Sequence, residues 1–217
     1  MGERQGSTTG VHGPETKPRG GRPRRDGRAV VGDPTDEILR VAASLFGEQG
    51  VAATTMSRIA SGAGLGQSSL YYYFRNREEV VAALVGRANV VSLDLVTTVA
   101  AGAGSAPDKL LRFVQGDVEA LCALPFDINE VHRVAARDRD RFAEYWKERA
   151  RLERRLAAIV QAGVDAGELR PVDPRLTALT IMGNDEGVQN WYRLGTRRRP
   201  AEIGRALAEL TVEGLRS

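Results

Sequence analysis

A short run of amide, hydroxyl and phenol side chains occupies residues 67–73, which read Gln-Ser-Ser-Leu-Tyr-Tyr-Tyr. On a helix, Leu70 and Phe74 lie four residues apart and share one inward face. The remaining faces then present polar groups to solvent, from Gln67, Ser68, Ser69, Tyr72 and Tyr73. Amides, small hydroxyls and phenols are suited to base edges and phosphates. The run therefore predicts a surface that contacts nucleic acid.

Two short helices joined by a glycine-containing turn are predicted to hold this run in place. Thr55 is the predicted N-cap of the first helix, because its hydroxyl can accept a hydrogen bond from an unpaired backbone N–H. Ile59 and Ala60 give that helix an apolar face. Gly64 can adopt the left-handed conformation that ends a helix at little cost. The second helix is predicted to run from about Gln67 to Phe74.

The residues from Gly64 to Glu79 resemble the DNA-binding signature of the TetR family of transcriptional regulators, and the match continues upstream through Gly50 and Thr54-Thr55 to Ile59-Ala60. The resemblance implies an all-α, TetR-like fold. In that fold an N-terminal three-helix DNA-binding unit with a helix-turn-helix precedes a C-terminal helical domain for ligand binding and dimerisation. Arg58 stands where the family commonly has an acidic residue, and Tyr73 replaces a frequent histidine.

The resemblance also assigns contacts with double-stranded DNA. It places Gln67, Ser68, Ser69 and Tyr72 at bases or the flanking backbone. Phosphate contacts fall to Ser57, Tyr71, Tyr73 and Arg77, and Thr55 lies at a helix N-terminus, which favours anions. The alternative for Tyr71 and Tyr73 is simple packing.

The basic excess of the chain is confined to its first residues. The net charge is +3, and residues 1–33 alone carry seven basic and four acidic groups. Few apolar residues occur there, so we expect a disordered arm. Its centre resembles an AT-hook, a peptide that lies in the minor groove, although Gly20 is an extra residue; the predicted groove contacts are Arg19, Arg22, Arg24 and Arg25. The alternative is a solubilising linker.

Composition places the chain among globular proteins. It has 217 residues, of which 42% are hydrophobic, enough for one large domain or two small ones. The single cysteine, Cys122, excludes an intramolecular disulfide and indicates a reduced, cytoplasmic setting. We find no apolar run of transmembrane length and no signal region, so we predict no membrane partner.

Helical periodicity continues to the end of the chain, and no strand alternation is visible. Asp33 and Pro34 are predicted to start the first helix, and Asn76 a long helix that reaches Ala101. The later helices are predicted near 108–124, 129–137, 138–166, 174–194 and 200–216. We therefore divide the chain into an arm (1–33), a helix-turn-helix domain (34–78) and a ligand-binding and dimerisation domain (79–217).

A ligand pocket is predicted among the helices of residues 107–195, because members of the family commonly bury an apolar effector there. The candidate lining residues are Phe113, Leu121, Phe126, Tyr145, Trp146, Met182, Gly183, Gly187 and Trp191; ordinary core packing is the alternative for each. The polar segment from Asn184 to Asn190 interrupts an apolar helix and must face a partner subunit, a polar ligand group or water. The region from Met182 to Tyr192 also resembles regulators that respond to coenzyme A thioesters.

The sequence gives little support to an enzyme. The histidines are His12 and His132, and there is no metal-ligand spacing, phosphate loop or nucleophile elbow. We therefore predict no catalytic residue, no metal site and no cofactor. The predicted function is a repressor that binds a palindromic operator as a homodimer and is released by a small lipophilic effector. The alternatives are an activator and an architectural DNA-binding protein without operator specificity.

Overall fold

The computed structural model describes residues 33–192 and 197–216. These residues form nine α-helices and one short 3-10 helix, and the predicted all-α fold is confirmed. The helices are α1 (Pro34–Gln49), α2 (Met56–Gly62), α3 (Gln67–Tyr73), α4 (Arg77–Ala101), α5 (Ala106–Ala123), α6 (Ile128–Arg137), α7 (Ala143–Asp165), α8 (Pro174–Gly187) and α9 (Pro200–Glu213), with the 3-10 turn at Val188–Asn190. The predicted arm, including Arg19, Arg22, Arg24 and Arg25, lies outside the described residues except for Asp33.

Side-chain caps fix where the N-terminal helices begin. The Asp33 carboxylate accepts a hydrogen bond from Thr35 N–H at 2.9 Å, and the Thr55 hydroxyl accepts one from Arg58 N–H at 3.3 Å. Asn76 caps α4 in the same way, through Glu79 N–H at 3.0 Å. These three predicted caps are confirmed, and each satisfies a backbone donor that the helix leaves unpaired.

The helix-turn-helix forms around a short glycine turn. Gly64 has a φ of 65°, a conformation that a side chain would disfavour. The turn is closed by a hydrogen bond from Leu65 N–H to Ala60 O at 2.8 Å. Ile59 on α2 and Leu70 on α3 are both fully buried in the core that also contains the apolar face of α1, so the recognition helix α3 is held by its inward face alone.

The DNA-binding unit does not have a core of its own. Its buried residues on α1 to α4 belong to one cluster that also contains Ile128 and Val131 of α6, Phe142, and Tyr145 of α7. The core of the helix-turn-helix therefore extends beyond residues 34–76. Helix α6 and the start of α7 complete the core that supports the helix-turn-helix.

A second core lies between α4, α5, α7, α8 and α9. Helices α5 and α9 approach closely at Gly204, where an added Cβ would lie 2.7 Å from the backbone oxygen of Gln115. Phe113, Leu110 and Leu156 are fully buried in this core. Because α4 contributes to both cores, it joins the DNA-binding unit to the C-terminal domain.

Two predicted helix boundaries are wrong. Helix α7 begins at Ala143 and not at Asp138, because the Asp138 carboxylate accepts a hydrogen bond from Arg141 N–H at 3.1 Å and stabilises a turn there. Helix α8 ends at Gly187 and continues as a 3-10 turn, where it was expected to reach Leu194.

Among the described residues, α4 is the one helix that is long and apolar enough to cross a membrane by length and composition. This corrects the expectation that no apolar run has that length. Its composition has a simpler cause, since eight of its residues are buried in the folded chain: Val80, Val81, Leu84, Val85, Asn89, Leu93, Val96 and Val99.

Candidate nucleic-acid interface and ligand cavity

Helix α3 presents its polar side chains on an open surface. Tyr72 is 83% exposed and Tyr71 is 45% exposed, while Gln67 and Ser68 are also exposed. Ser69 and Tyr73 are half-buried, and the Tyr73 ring packs edge-on against Tyr72 with 5.2 Å between centroids. An exposed phenol beside an amide and a hydroxyl is chemically able to read base edges and grip phosphates.

The start of α2 adds a second polar surface. Thr55 and Ser57 are exposed there, although the Thr55 hydroxyl is already engaged as the cap. Ser57 can contact a phosphate beside the N-terminus of the helix, where backbone N–H groups favour anions. The structure thus exposes Thr55 and Ser57, two of the residues that the sequence predicted to lie at the DNA backbone.

Arg77 has a different environment from the one expected of a phosphate contact. Its guanidinium donates hydrogen bonds to Val51 O at 3.1 Å and Ala52 O at 2.9 Å, and it pairs with Glu78 at 3.2 Å. These bonds tie the start of α4 to the turn after α1. The neighbouring Arg75 is exposed, its side chain has no hydrogen bond to a described residue, and sequence reasoning had not singled it out.

A cavity of about 50 Å³ lies between α4, α5, α6, α7 and α8. Most of its lining residues are apolar, and five are polar. The apolar lining consists of Ala88, Val91, Ala120, Leu121, Leu124, Ile128, Leu152 and Met182, and the polar lining of Asn89, Ser92, Asp117, Arg149 and Glu186. Ligand pockets for small molecules are typically ~300 Å³ or larger, so a ligand of that size requires the cavity to widen.

Asp117 is the least expected of the polar residues. It is only 4% exposed, and one carboxylate oxygen accepts a hydrogen bond from the Ser92 hydroxyl at 2.5 Å. The other oxygen has no hydrogen bond among the described residues. Burial raises the pKa of Asp117 to about 6, although the Ser92 hydrogen bond acts in the opposite direction.

Arg149 and Glu186 form a buried ion pair across the cavity wall. The guanidinium binds the carboxylate through two hydrogen bonds, one of them 2.9 Å long. His132 Nδ1 lies 3.6 Å from the same carboxylate. Burial, together with the charge of Arg149, lowers the pKa of His132 to about 3, so His132 is neutral near pH 7 and the contact is not an ion pair.

Asp185 is a second buried acid near Asp117. It is fully buried, and neither carboxylate oxygen has a hydrogen-bond partner among the described residues. Burial raises its pKa well above the ordinary value, and the charge of Asp117 raises it further. Because buried polar groups are normally hydrogen-bonded, this carboxyl is retained at an energetic cost.

The structure brings only part of the predicted pocket together. Leu121 and Met182 line the cavity, and Tyr145 is buried near Arg149 and Glu186. Phe126 lines a neighbouring groove beside Gly47. Phe113 belongs to the second core, and the Trp146 indole N–H donates to Ala135 O at 3.2 Å.

Gly183, Gly187 and Trp191 do not lie at the cavity. No heavy atom comes within 4 Å of a Cβ added at either glycine, and Trp191 is 57% exposed. Helical spacing explains why Gly183 is not at the cavity. The inward side of α8 is occupied by Met182, Asp185 and Glu186, so Gly183 lies on the outer side.

The polar segment after Asn184 has mixed partners. The Gln189 amide donates to Leu121 O at 2.7 Å and accepts from Ile128 N–H at 2.7 Å, and the Asn129 amide donates to Glu186 O at 3.0 Å. Sequence reasoning noted the segment but missed Asn89, Ser92, Asp117 and Arg149. In the sequence, these residues are marked only by being polar at positions where the spacing of their helices predicts a buried apolar residue.

Two family models match most of the described chain. Residues 38–84 match the bacterial regulatory proteins of the tetR family. Residues 103–215 match the tetracyclin repressor-like C-terminal domain. The two matches correspond to the helix-turn-helix with the start of α4 and to the helices from α5 onward.

Named relatives agree with these matches. The HTH-type transcriptional repressor KstR2 of Mycobacterium tuberculosis is 25% identical over 185 residues, which cover 82% of this chain and 91% of that protein. The TetR family regulator PfmR from Thermus thermophilus has a TM-score of 0.75 at 26% identity, covering 83% of this chain and 99% of its own. AibR, solved in complex with isovaleryl coenzyme A and operator DNA, has a TM-score of 0.73 at 18% identity, covering 82% of this chain and 97% of its own.

Proposed function

Because this chain belongs to the TetR family of bacterial transcriptional regulators, we propose that it is a repressor that binds a palindromic operator as a homodimer and is released by a small lipophilic effector. The chain is a regulator and not an enzyme. The proposal rests on the outward polar face of α3. The core that supports α3 also contains residues of helices that line the cavity.

DNA recognition is assigned to α3 and the start of α2. Gln67 can make a bidentate contact with adenine, and Ser68, Ser69 and Tyr72 meet neighbouring bases or the backbone. Ser57, Tyr71 and Tyr73 contact phosphates, and Thr55 places the N-terminus of α2 toward the backbone. The basic arm, with Arg19, Arg22, Arg24 and Arg25, adds electrostatic affinity in the adjacent minor groove.

The homodimer is assigned to the outer faces of α8 and α9. Leu176 is 64% exposed, Leu179 43% and Leu210 72%, and Gly183 leaves open space beside them. Exposed large apolar side chains on the same side of the chain's last two helices are consistent with an interaction site. Pairing it with a second copy gives a four-helix interface and sets the two α3 helices about one DNA turn apart, ~34–36 Å.

Release from DNA is assigned to a ligand that widens the cavity. In this proposal a ligand larger than about 50 Å³ widens the cavity by moving α4 or the helices that pack on it, and α4 begins within the DNA-binding unit. A ligand that prefers the displaced state a hundredfold supplies roughly 2.7 kcal/mol per site, and operator DNA must weaken ligand binding by the same factor. AibR shares the fold and has been solved with both isovaleryl coenzyme A and operator DNA. A protein of this fold can therefore bind a small molecule and DNA, which supports the proposal.

The experiment is operator selection from random DNA with the purified full chain, combined with sedimentation of the protein alone. We expect an inverted repeat with half-sites about one helical turn apart and a dimer at micromolar concentration. A monomer that selects only asymmetric sites contradicts the proposal. Binding that random DNA competes away equally well indicates an architectural protein instead. Protein of this kind acts on the chromosome, so we place it in the cytoplasm.

A further inference from the structure

The cavity wall holds more acid than base. Arg149 is the only basic residue among the described residues that line it, and Glu186 already takes two hydrogen bonds from its guanidinium. Asp117 forms no ion pair within the described part of the chain, and its nearest cation is this same Arg149. A carboxylate or phosphate entering this cavity therefore finds its one lining cation already bound by Glu186, and it meets Asp117 as an additional acid.

The second carboxylate oxygen of Asp117 is the atom of the cavity wall that a ligand can bind. The side chain is nine-tenths buried, it lines the cavity, and Ser92 occupies only one of its two oxygens. The second oxygen faces the open space of the cavity, where a cationic donor can form a charge-assisted hydrogen bond with it. The apolar lining, which includes Leu124, Leu152 and Met182, is suited to an apolar body.

We propose, on the basis of the repressor function above, that the effector is an amphiphile with an apolar body and a protonated amine, and that Asp117 binds the amine. The charge of the amine is opposed to that of the cavity wall, as interface complementarity requires. The coenzyme A thioesters suggested by the sequence carry anionic groups that this wall does not neutralise.

A matched series of probes tests the head group. Decylamine, 1-decanol and decanoate share one chain, and any widening of the cavity that the chain requires applies equally to all three. Binding is measured by calorimetry on the full-length protein without DNA, below the concentrations at which the probes aggregate. We expect decylamine to bind about tenfold or more tightly than decanoate near pH 7.5.

Two variants identify the residue. Asp117→Asn keeps the shape of the side chain and the acceptor for Ser92 but removes the charge. The ratio of the affinity for decylamine to that for decanoate should therefore fall to about threefold or less. Asp94→Asn removes an exposed carboxylate on α4 and should leave the advantage unchanged. Both variants are checked first for helix content and for the oligomeric state of the wild type.

A second measurement needs no variant. Asp117 is faced by Ser92 on α4, Arg149 on α7, and Asp185 and Glu186 on α8. An amine beside Asp117 favours the ionised form, so binding of decylamine near pH 6 should release protons, and binding of decanol should release none. Calorimetry in buffers of different ionisation enthalpy measures this release.

Three results overturn the inference: decanoate binds as tightly as decylamine, Asp117→Asn keeps the full advantage of the amine, or none of the probes binds. In the last case, operator binding by the same preparation separates the two claims. A protein that binds its operator but no probe refutes the amine site while the repressor proposal stands. A protein that binds decylamine but no operator refutes the repressor proposal alone.

Discussion

The Glu130 carboxylate on α6 accepts a hydrogen bond from the backbone N–H of Val51, in the turn after α1, over a distance of 2.8 Å. Close by, a Cβ added at Gly47 would overlap Pro125 O, so the loop before α6 lies directly against α1. The same helix carries His132 and Asn129, which contact Glu186 at the cavity. Helix α6 therefore provides a second connection between the cavity and the DNA-binding unit, in addition to α4.

Removing the carboxylate of Glu130 should loosen this connection. We expect Glu130→Ala to lower the free energy of unfolding by about 1–3 kcal/mol, because the buried N–H of Val51 is left without its charged acceptor. Glu130→Gln keeps an oxygen in place and should cost less. Chemical denaturation measures the change, and Glu144→Ala serves as the control because Glu144 makes an exposed pair with Lys147. Equal stabilities of Glu130→Ala and the control would contradict the assigned role.

Gln67 should determine sequence preference and contribute little to general DNA affinity. We expect Gln67→Ala to weaken operator binding by about 1–3 kcal/mol while binding to random DNA and the salt dependence stay unchanged. Fluorescence anisotropy with operator and random duplexes measures both affinities. Gln161→Ala, at an exposed glutamine of α7, is the matched control. Equal weakening on the two duplexes would show that Gln67 does not read bases.

Arg75 and Arg77 should differ in how they affect DNA binding. Arg75→Ala removes an exposed cation beside α3, so the slope of log affinity against log salt should become shallower by about 0.9 for each B-DNA phosphate that the protein no longer neutralises. Arg77→Ala mainly removes the hydrogen bonds to Val51 O and Ala52 O, so it should lower stability and change the slope less. A larger slope change for Arg77→Ala would restore the phosphate-binding role that the sequence indicated.

Local signals account for most of the fold. Residue type predicts the helix caps at Asp33, Thr55 and Asn76, and helical spacing predicts the burial of Leu70. The structure shows each of them. The partners of Arg77 and Glu130 did not follow, because they depend on how α4 and α6 lie against the turn after α1. The ion pair between Arg149 and Glu186 joins residues 37 positions apart, and no local pattern specifies such a pair.

The outer face of α8 should hold the dimer together. We expect Gly183→Leu to shift the protein toward monomer, because the new side chain projects into open space on the proposed interface. Gly86→Leu is a matched control: its added Cβ also has no neighbour within 4 Å, and it gains similar helix propensity on α4. Sedimentation of both variants measures the outcome. A dimeric Gly183→Leu protein would move the interface elsewhere.

Asp117 should make the stability of the protein depend on pH in a defined direction. Its pKa is raised from 3.8 to about 6 by burial, so between these values the folded protein binds more protons than the unfolded chain. Stability is then lost as pH rises through this window, and above it the charged form costs about 3 kcal/mol, from roughly two units of pKa. Asn carries no such charge and can still accept the hydrogen bond from Ser92.

We therefore expect Asp117→Asn to gain stability relative to the wild type as pH rises. Its advantage in free energy of unfolding should be about 2.5 kcal/mol larger at pH 7 than at pH 4. Denaturation of both proteins across this range measures the difference. His132, with its pKa lowered to about 3, gives a slope of the opposite sign, but it is present in both proteins and cancels. Asp94→Asn should show no pH-dependent gain. A difference between Asp117→Asn and wild type that stays constant with pH would mean that Asp117 is not a desolvated acid in the folded protein.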